Sequence, residues 1–380
     1  MITRIKVKNF KSLEDFEIKN LSLFCCFIGL NGAGKTTIFQ FFDFVRALLL
    51  GRVKEWFERY KWSPSDIITL GSQKRSIEFE FDIESAERTA TWFARFNIQE
   101  MRCVYEKLIL HDKQSPKQLF LYEDNKLKIF ENDYPLPPNF KQEGSICSFL
   151  DPMPGEMYEL LNTKFFGVLD PSAISQATQT SKKISVVEVE ANGKGLTGFI
   201  AKLKPEFLKG LFERLQVFYP SAHDCKIKNQ PYGWKNLLIA ELEKAYFDAS
   251  HLSYGTLRLL LMLSQLYSNN ACVLFDEIEN GINQELIEKL LVQLQNFNGK
   301  QVMVTTHSAL VLNYLEDEVA KDSVILLYKD NQGHTQAKKF FDIPGISQKL
   351  GLLGPGEVMS DTNLEKLSAR LAAENNGEHK

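Results

Sequence analysis

Gly29-Leu30-Asn31-Gly32-Ala33-Gly34-Lys35-Thr36 is the stretch whose reading decides the fold. It fits the pattern G-x-x-x-x-G-K-[ST] at every fixed position. Its three glycines let successive backbone N–H groups turn inward, forming a nest shaped for a chain of phosphates. In that pattern Lys35 reaches the outer phosphates and the Thr36 hydroxyl takes a Mg2+ ion. Residues 21–28, just before it, are apolar and continuous, as a buried strand is. Residues 37–50, beginning at Thr37, have helical spacing. The loop therefore lies between a strand and a helix N-terminus, where the helix dipole favours anions.

The composition sets bounds around that motif. The 380 residues allow one large or two moderate domains. Hydrophobic residues make up 44% and charged residues 24%, enough to build a sizeable core. A net charge of −3 does not mark the chain as a nucleic-acid binder, although a local basic patch is compatible with it. The six cysteines (Cys25, Cys26, Cys103, Cys147, Cys225, Cys272) are scattered without a C-x-x-C pair, so no zinc site is expected. Cys25, Cys26 and Cys272 stand in apolar runs, where a thiol acts as a small buried hydrophobe in a reducing compartment. The N-terminus lacks an apolar signal core, and the most apolar helix, 257–267, is too short to span a bilayer. The expectation is a soluble cytoplasmic protein with no membrane partner.

Periodicity divides the chain. Residues 2–7 and 13–18 read as strands, 51–70 as a helical excursion and 76–83 as a clear alternation. Further strands are expected at 90–96, 102–110, 118–122 and 126–130, with a turn at Asp124-Asn125 and a loop at 135–138. Together they suggest an antiparallel sheet beside the phosphate-loop unit. From about Gly195 helices are expected over 196–203, 207–218 and 234–247. Short buried strands at 273–275 and 302–305 flank a helix at 284–296, which implies parallel strands with a crossover helix. Residues 323–328 add a last strand, and the tail from 364 begins helical and frays.

Further motifs carry chemistry. Val273-Leu274-Phe275-Asp276-Glu277 is an apolar strand ending in two acids. A phosphate-loop enzyme needs a carboxylate near its Mg2+ shell, which suits Asp276, and a base to polarise water, which suits Glu277. Leu252-Ser253-Tyr254-Gly255-Thr256 precedes a strong helix. Taken alone Ser253 is a helix cap; with a flexible Gly255 and free helix N–H groups it makes a second phosphate-binding face. His307 follows the strand 302–304, at the edge where open α/β sheets bind ligands.

These pieces together resemble the ATP-binding-cassette class of ATPases, in its soluble RecF, SMC and OLD-type branch. Asn9-Phe10-Lys11-Ser12 resembles the opening motif of that branch, which would bring Lys11 and Ser12 near the nucleotide. The resemblance makes Gly29 to Thr36 the Walker A loop, Leu252 to Thr256 the signature motif and Phe275-Asp276-Glu277 the end of Walker B. Asn280-Gly281-Ile282 falls at the D-loop and His307 at the switch histidine. The glutamine loop has two candidates, Gln176 and Gln73. A nuclease domain of the OLD kind would need an acidic cluster, and the candidates after residue 328, Asp330, Asp342, Glu357 and Asp361, do not form a convincing one. No coiled-coil arm of the SMC kind is read between residues 36 and 252.

The implied fold is an α/β P-loop NTPase of ABC type: a mixed core sheet, an antiparallel β lobe and a helical signature lobe. The expected division is 1–85 for the first part of the ATPase core and 86–150 for a β-rich insertion lobe. A helical lobe with the signature would take 151–260, the second part of the core 261–345, and a C-terminal tail 346–380. The implied ligands are ATP and Mg2+, with Asn31, Gly32, Ala33, Gly34, Lys35, Thr36 and Thr37 around the phosphates. Thr36 and Asp276 would hold the metal; Glu277, His307 and Lys35 would be catalytic. Ser253 and Gly255 would contact the nucleotide of a second copy, so a homodimer or higher even oligomer is expected. A separate effector protein, a nuclease or toxin in anti-phage defence, is the favoured partner. Direct DNA binding in repair and a non-catalytic sensor or scaffold are the alternatives.

Overall fold

The computed structural model describes residues 1–85, 88–111, 115–137, 140–179, 188–242, 245–297 and 299–378. Three sheets organise it. The first is six-stranded, in the order Thr163–Phe166, Cys272–Phe275, Gln301–Thr305, Phe24–Ile28, Val324–Lys329 and Thr335–Lys339. Its first five strands are parallel and the last is an antiparallel edge. The strands Cys272–Phe275, Gln301–Thr305 and Phe24–Ile28 are buried at every residue, as strands covered on both faces are.

The second sheet has eight antiparallel strands and draws Leu13–Ile18 and Ile2–Phe10 together with Ser76–Glu84 and the strands that follow to Tyr134. It takes strands from both sides of residue 85, because Phe79 pairs with Ala94. The alternation in Ser76–Glu84 buries Ile77, Phe79, Phe81 and Ile83. What they meet is the helix Lys35–Leu50, which is apolar around most of its circumference and lies between the two sheets. Phe39 faces the core sheet through Phe27 and Phe165 at ring separations of 5.8 and 5.7 Å. Phe41 faces the antiparallel sheet, 5.8 Å from Phe81. The phosphate-loop helix is thus clamped on two sides, and its N-terminus is fixed in space.

The third sheet corrects an expectation. Residues 234–247 do not form a helix: Trp234–Leu242 and Ala245–Asp248 are antiparallel strands, with 243–244 outside the described residues. Trp234–Leu242 also pairs with Asp224–Asn229, and Thr178–Gln179 completes the sheet. Leu237 and Ile239 are buried against the helices Leu196–Ile200 and Pro205–Gln216, while Asn236 and Leu238, which alternate with them, are half-buried. A short apolar run is compatible with both periods, and the alternating partner strand decided between them. The signature lobe is therefore mixed rather than helical. The loop expected at 135–138 ends at Pro138, outside the described residues. The tail stays helical as Leu364–Glu378 instead of fraying from 374, with 379–380 outside the described residues. Among the described residues no helix is long and apolar enough to cross a membrane.

Candidate functional site

The strand Phe24–Ile28 runs into Gly29, and Gly34 caps the helix that begins at Lys35. Gly34 has φ +110°, and a Cβ there would lie 2.3 Å from Thr335 Oγ1, so only glycine fits. Asn31 and Gly32 form the exposed tip of the loop, Ala33 is buried and Thr37 half-buried in the first helical turn. The Lys35 ammonium, buried in the loop, donates to the carbonyls of Gly29 at 2.7 Å and Leu30 at 3.1 Å. Burial holds its pKa below the ordinary lysine value, while the carboxylates of Asp276, Glu277 and Glu279 pull the other way.

The strand Cys272–Phe275 delivers Asp276 opposite this helix. Thr36 Oγ1 donates to Asp276 Oδ2 at 2.7 Å across 240 residues of chain. Thr305, at the end of the neighbouring strand, donates its hydroxyl to Asp276 Oδ1 at 2.5 Å and accepts the Glu277 N–H at 2.7 Å. The Asp276 N–H is held by the Phe166 carbonyl at 3.1 Å. Asp276 is therefore fixed on three sides. Glu277 has φ +48°, a strained conformation for this residue type, and its side chain is 51% exposed. Its Oε1 lies 3.9 Å from His307 Nε2, and Asn280 Nδ2 donates to its Oε2 at 3.4 Å. The His307 N–H donates to Glu279 Oε1 at 2.8 Å.

A hydroxyl and one well-held carboxylate suit Mg2+, which keeps several water or phosphate ligands and needs few protein donors. Among the described residues no group of three or more His, Cys, Asp or Glu forms a cluster able to hold a metal. Lys35, Thr36, Asp276, Glu277 and His307 come together at the C-terminal ends of adjacent parallel strands, the usual ligand edge of an open α/β sheet.

Lys11 and Ser12 reach the loop less directly. Asn9 and Lys11 both have positive φ, at 65° and 47°, and the Asn9 amide pins the turn by donating to the Ser76 carbonyl at 2.8 Å. The Lys11 ammonium donates to Gln40 Oε1 at 3.0 Å and sits 3.2 Å from the centroid of the Trp62 ring. Burial pulls its pKa down to about 8, with Asp66 opposing. Ser12 Oγ is 2.7 Å from Thr335 Oγ1, which donates to the Ala33 carbonyl at 2.9 Å. A cavity of about 810 Å³ opens beside this pair, with Lys11, Ser12, Gln73 and His334 on its wall.

Ser253 caps the helix Tyr254–Ser264, its Oγ accepting the Thr256 N–H at 3.1 Å. Gly255 packs so tightly on the D-loop that a Cβ would lie 2.2 Å from the Gly281 carbonyl oxygen. Gln176 closes the short helix Pro171–Ser175 after the core edge strand. Three residues that sequence reasoning did not single out complete the site: Thr305, Thr335 and Arg258. The sequence signal of Arg258 is a charge inside an otherwise apolar helix, and that of Thr305 is a hydroxyl at the end of the strand that leads to His307.

No curated protein matches the sequence. The structure resembles the SMC head bound to the C-terminal winged-helix domain of ScpA, with a TM-score of 0.54 at 12% identity, over 89% of this chain and 96% of that one. It also resembles the Pyrococcus furiosus SMC head with an extended coiled coil bound to the C-terminal domain of ScpA. There the TM-score is 0.52 at 13% identity, over 92% of this chain and 99% of that one. At such identities the likeness is one of fold. Residues 225–313 match the family described as an AAA domain, putative AbiEii toxin, type IV TA system. Residues 1–229, more than half of the chain, match the AAA ATPase domain family, and the chain belongs to it as an ATPase of the RecF, SMC and OLD type.

Proposed function

We propose that this chain is a Mg2+-dependent ATPase that works as a nucleotide-driven dimeric switch and gates a separate effector protein. The observation that carries the reading is the 2.7 Å contact between Thr36 and Asp276, beside the buried Lys35 and the exposed Glu277. Bound Mg2+ would neutralise charge on the outer phosphates. Lys35 and the loop N–H groups would hold those phosphates, and Thr36 and Asp276 would be the metal's protein ligands. The adenosine lies toward the Lys11–Ser12 side of the loop, where the cavity opens.

Glu277 orients a water for in-line attack on the γ-phosphorus and accepts its proton as the bond to the leaving oxygen of ADP breaks. His307, 3.9 Å from Glu277, faces the same γ-phosphate. Ser253 and Gly255 reach the nucleotide of a second copy, because Ser253 caps a helix whose N-terminus presents an anion-binding face. Hydrolysis then removes contacts that hold the two copies together, and the pair loosens.

The effector reading is supported by two likenesses. Two SMC heads that share this fold were solved with a domain of a partner protein, ScpA. Residues 225–313 match a family described as an AAA domain, putative AbiEii toxin, type IV TA system, which fits a setting of toxin systems; a nuclease or toxin in anti-phage defence is the partner proposed. Complementation tests the trans arrangement. Lys35→Ala and Ser253→Arg chains are each expected to be inactive. Mixed, they rebuild one complete site per heterodimer and recover ATP hydrolysis. No recovery, with both chains folded and able to pair, would show that the signature face acts elsewhere.

A further inference from the structure

We propose that the chain carries a second ligand site, for a mononucleotide, between the C-terminal half of the phosphate-loop helix and the signature lobe. A cavity of about 440 Å³ opens there, within the range of small-molecule sites. Arg46 on its wall lies eleven residues beyond Lys35, about 16 Å along the helix, so the cavity is not the phosphate-loop site.

Its charge is arranged for an anion. Lys164 and Arg46 are the buried members, with side chains 9% and 15% exposed. The carboxylate they share, Glu188, is 56% exposed, at the rim. Arg46 Nη2 donates to both Glu188 oxygens at 2.9 Å, and the Lys164 ammonium stands 3.6 Å from the same group. Burying two cations beside the half-solvated Glu188, with the buried Asp43 carboxylate already paired to Arg59, leaves positive charge in a poorly hydrated place, which costs stability unless a further anion arrives. Burial and the Arg46 charge together bring the Lys164 pKa down to about 8. Two exposed lysines, Lys202 and Lys204, add charge at the mouth.

The rest of the wall suits a ring. Phe207 and Tyr267 form an aromatic pair at 5.5 Å, with Phe207 40% exposed. The Lys204 ammonium lies 5.8 Å from the Phe207 centroid, where it also favours a polarisable ring. A phosphate on Lys164 and Arg46 with a base against Phe207 and Tyr267 uses both halves of the cavity.

Calorimetric titration of the full chain carrying Lys35→Ala, which disables the phosphate loop, tests this. AMP and GMP are the probes, with adenosine and inorganic phosphate as controls. The expected result is saturable binding of one mononucleotide per chain, at least about tenfold tighter than either control. Lys164→Met is expected to abolish it. Because a buried change can disturb folding, the exposed pair Lys202→Ala and Lys204→Ala is the second arm, and it should weaken binding about tenfold. The proposal is overturned by no saturable mononucleotide binding at millimolar concentration. Phosphate binding as tightly as AMP and GMP, or nucleotide binding unchanged by the exposed lysine pair, also overturns it.

Discussion

Arg258, buried in the helix that follows the signature motif, donates to the main-chain carbonyls of Asp276 at 2.6 Å and Glu277 at 2.7 Å. Its other terminal nitrogen donates to the Tyr254 hydroxyl at 3.1 Å. One guanidinium therefore joins the signature helix to the backbone that aims Glu277. Arg258→Met removes the donor from two buried carbonyl acceptors and is expected to cost about 2–6 kcal/mol, since each orphaned group costs roughly 1–3. Turnover should fall more than nucleotide affinity. Urea unfolding and a separation of kcat from KM check both statements.

Glu277→Gln keeps the shape of the side chain and removes the proton acceptor. Turnover is expected to drop by about 10²–10⁴, the usual contribution of a positioned base. Binding contacts survive, so an ATP-dependent dimer should accumulate. Phosphate release and light scattering with and without ATP measure the two effects; monomer in both conditions would count against the switch.

Thr305 holds Asp276 Oδ1 and the Glu277 N–H at once. Thr305→Val is nearly isosteric and deletes both bonds, so kcat should fall about tenfold or more for a loss of ~1.4 kcal/mol in the transition state. Thr305→Ser retains the hydroxyl and should restore most of the activity. Equal rates for the two variants would exclude a positioning role.

Gly255→Ala places a methyl group 2.2 Å from the Gly281 carbonyl, so the D-loop must move. The phosphate loop lies on other elements and is expected to bind nucleotide normally. Dimerisation on ATP and turnover should both be lost, which equilibrium binding and sedimentation together detect.

Glu106 is fully buried, accepts from Ser145 Oγ at 2.6 Å and from the Ile146 N–H at 2.5 Å, and burial raises its pKa to about 7. Its folded pKa thus lies above the unfolded value near 4.5. Between those values the native state binds more protons, so stability is highest at the acid end and declines as pH rises toward 7, by up to roughly 3 kcal/mol. Glu106→Gln should flatten that slope. Urea midpoints between pH 5 and pH 8 provide the comparison.

The amino-acid sequence by itself determined the ends of the strands where chemistry is placed. Gly29 to Thr36 is legible because a phosphate nest is a local backbone shape, written in consecutive glycines. Asp276 and Glu277 are legible because an apolar run that stops at two acids is a buried strand reaching a polar edge. Pairing was a different matter. The Thr36–Asp276 contact spans 240 residues, and neither segment encodes its distance from the other. Arg258 looked like an interruption in an apolar helix until the helix lay across the Walker B carbonyls. Trp234–Leu242 suited helix and strand alike, and Asp224–Asn229 settled it by offering an unpaired edge. Local motifs follow from the conformational limits of a few residues. Which buried donor meets which buried acceptor follows only from the packing of elements far apart in the chain.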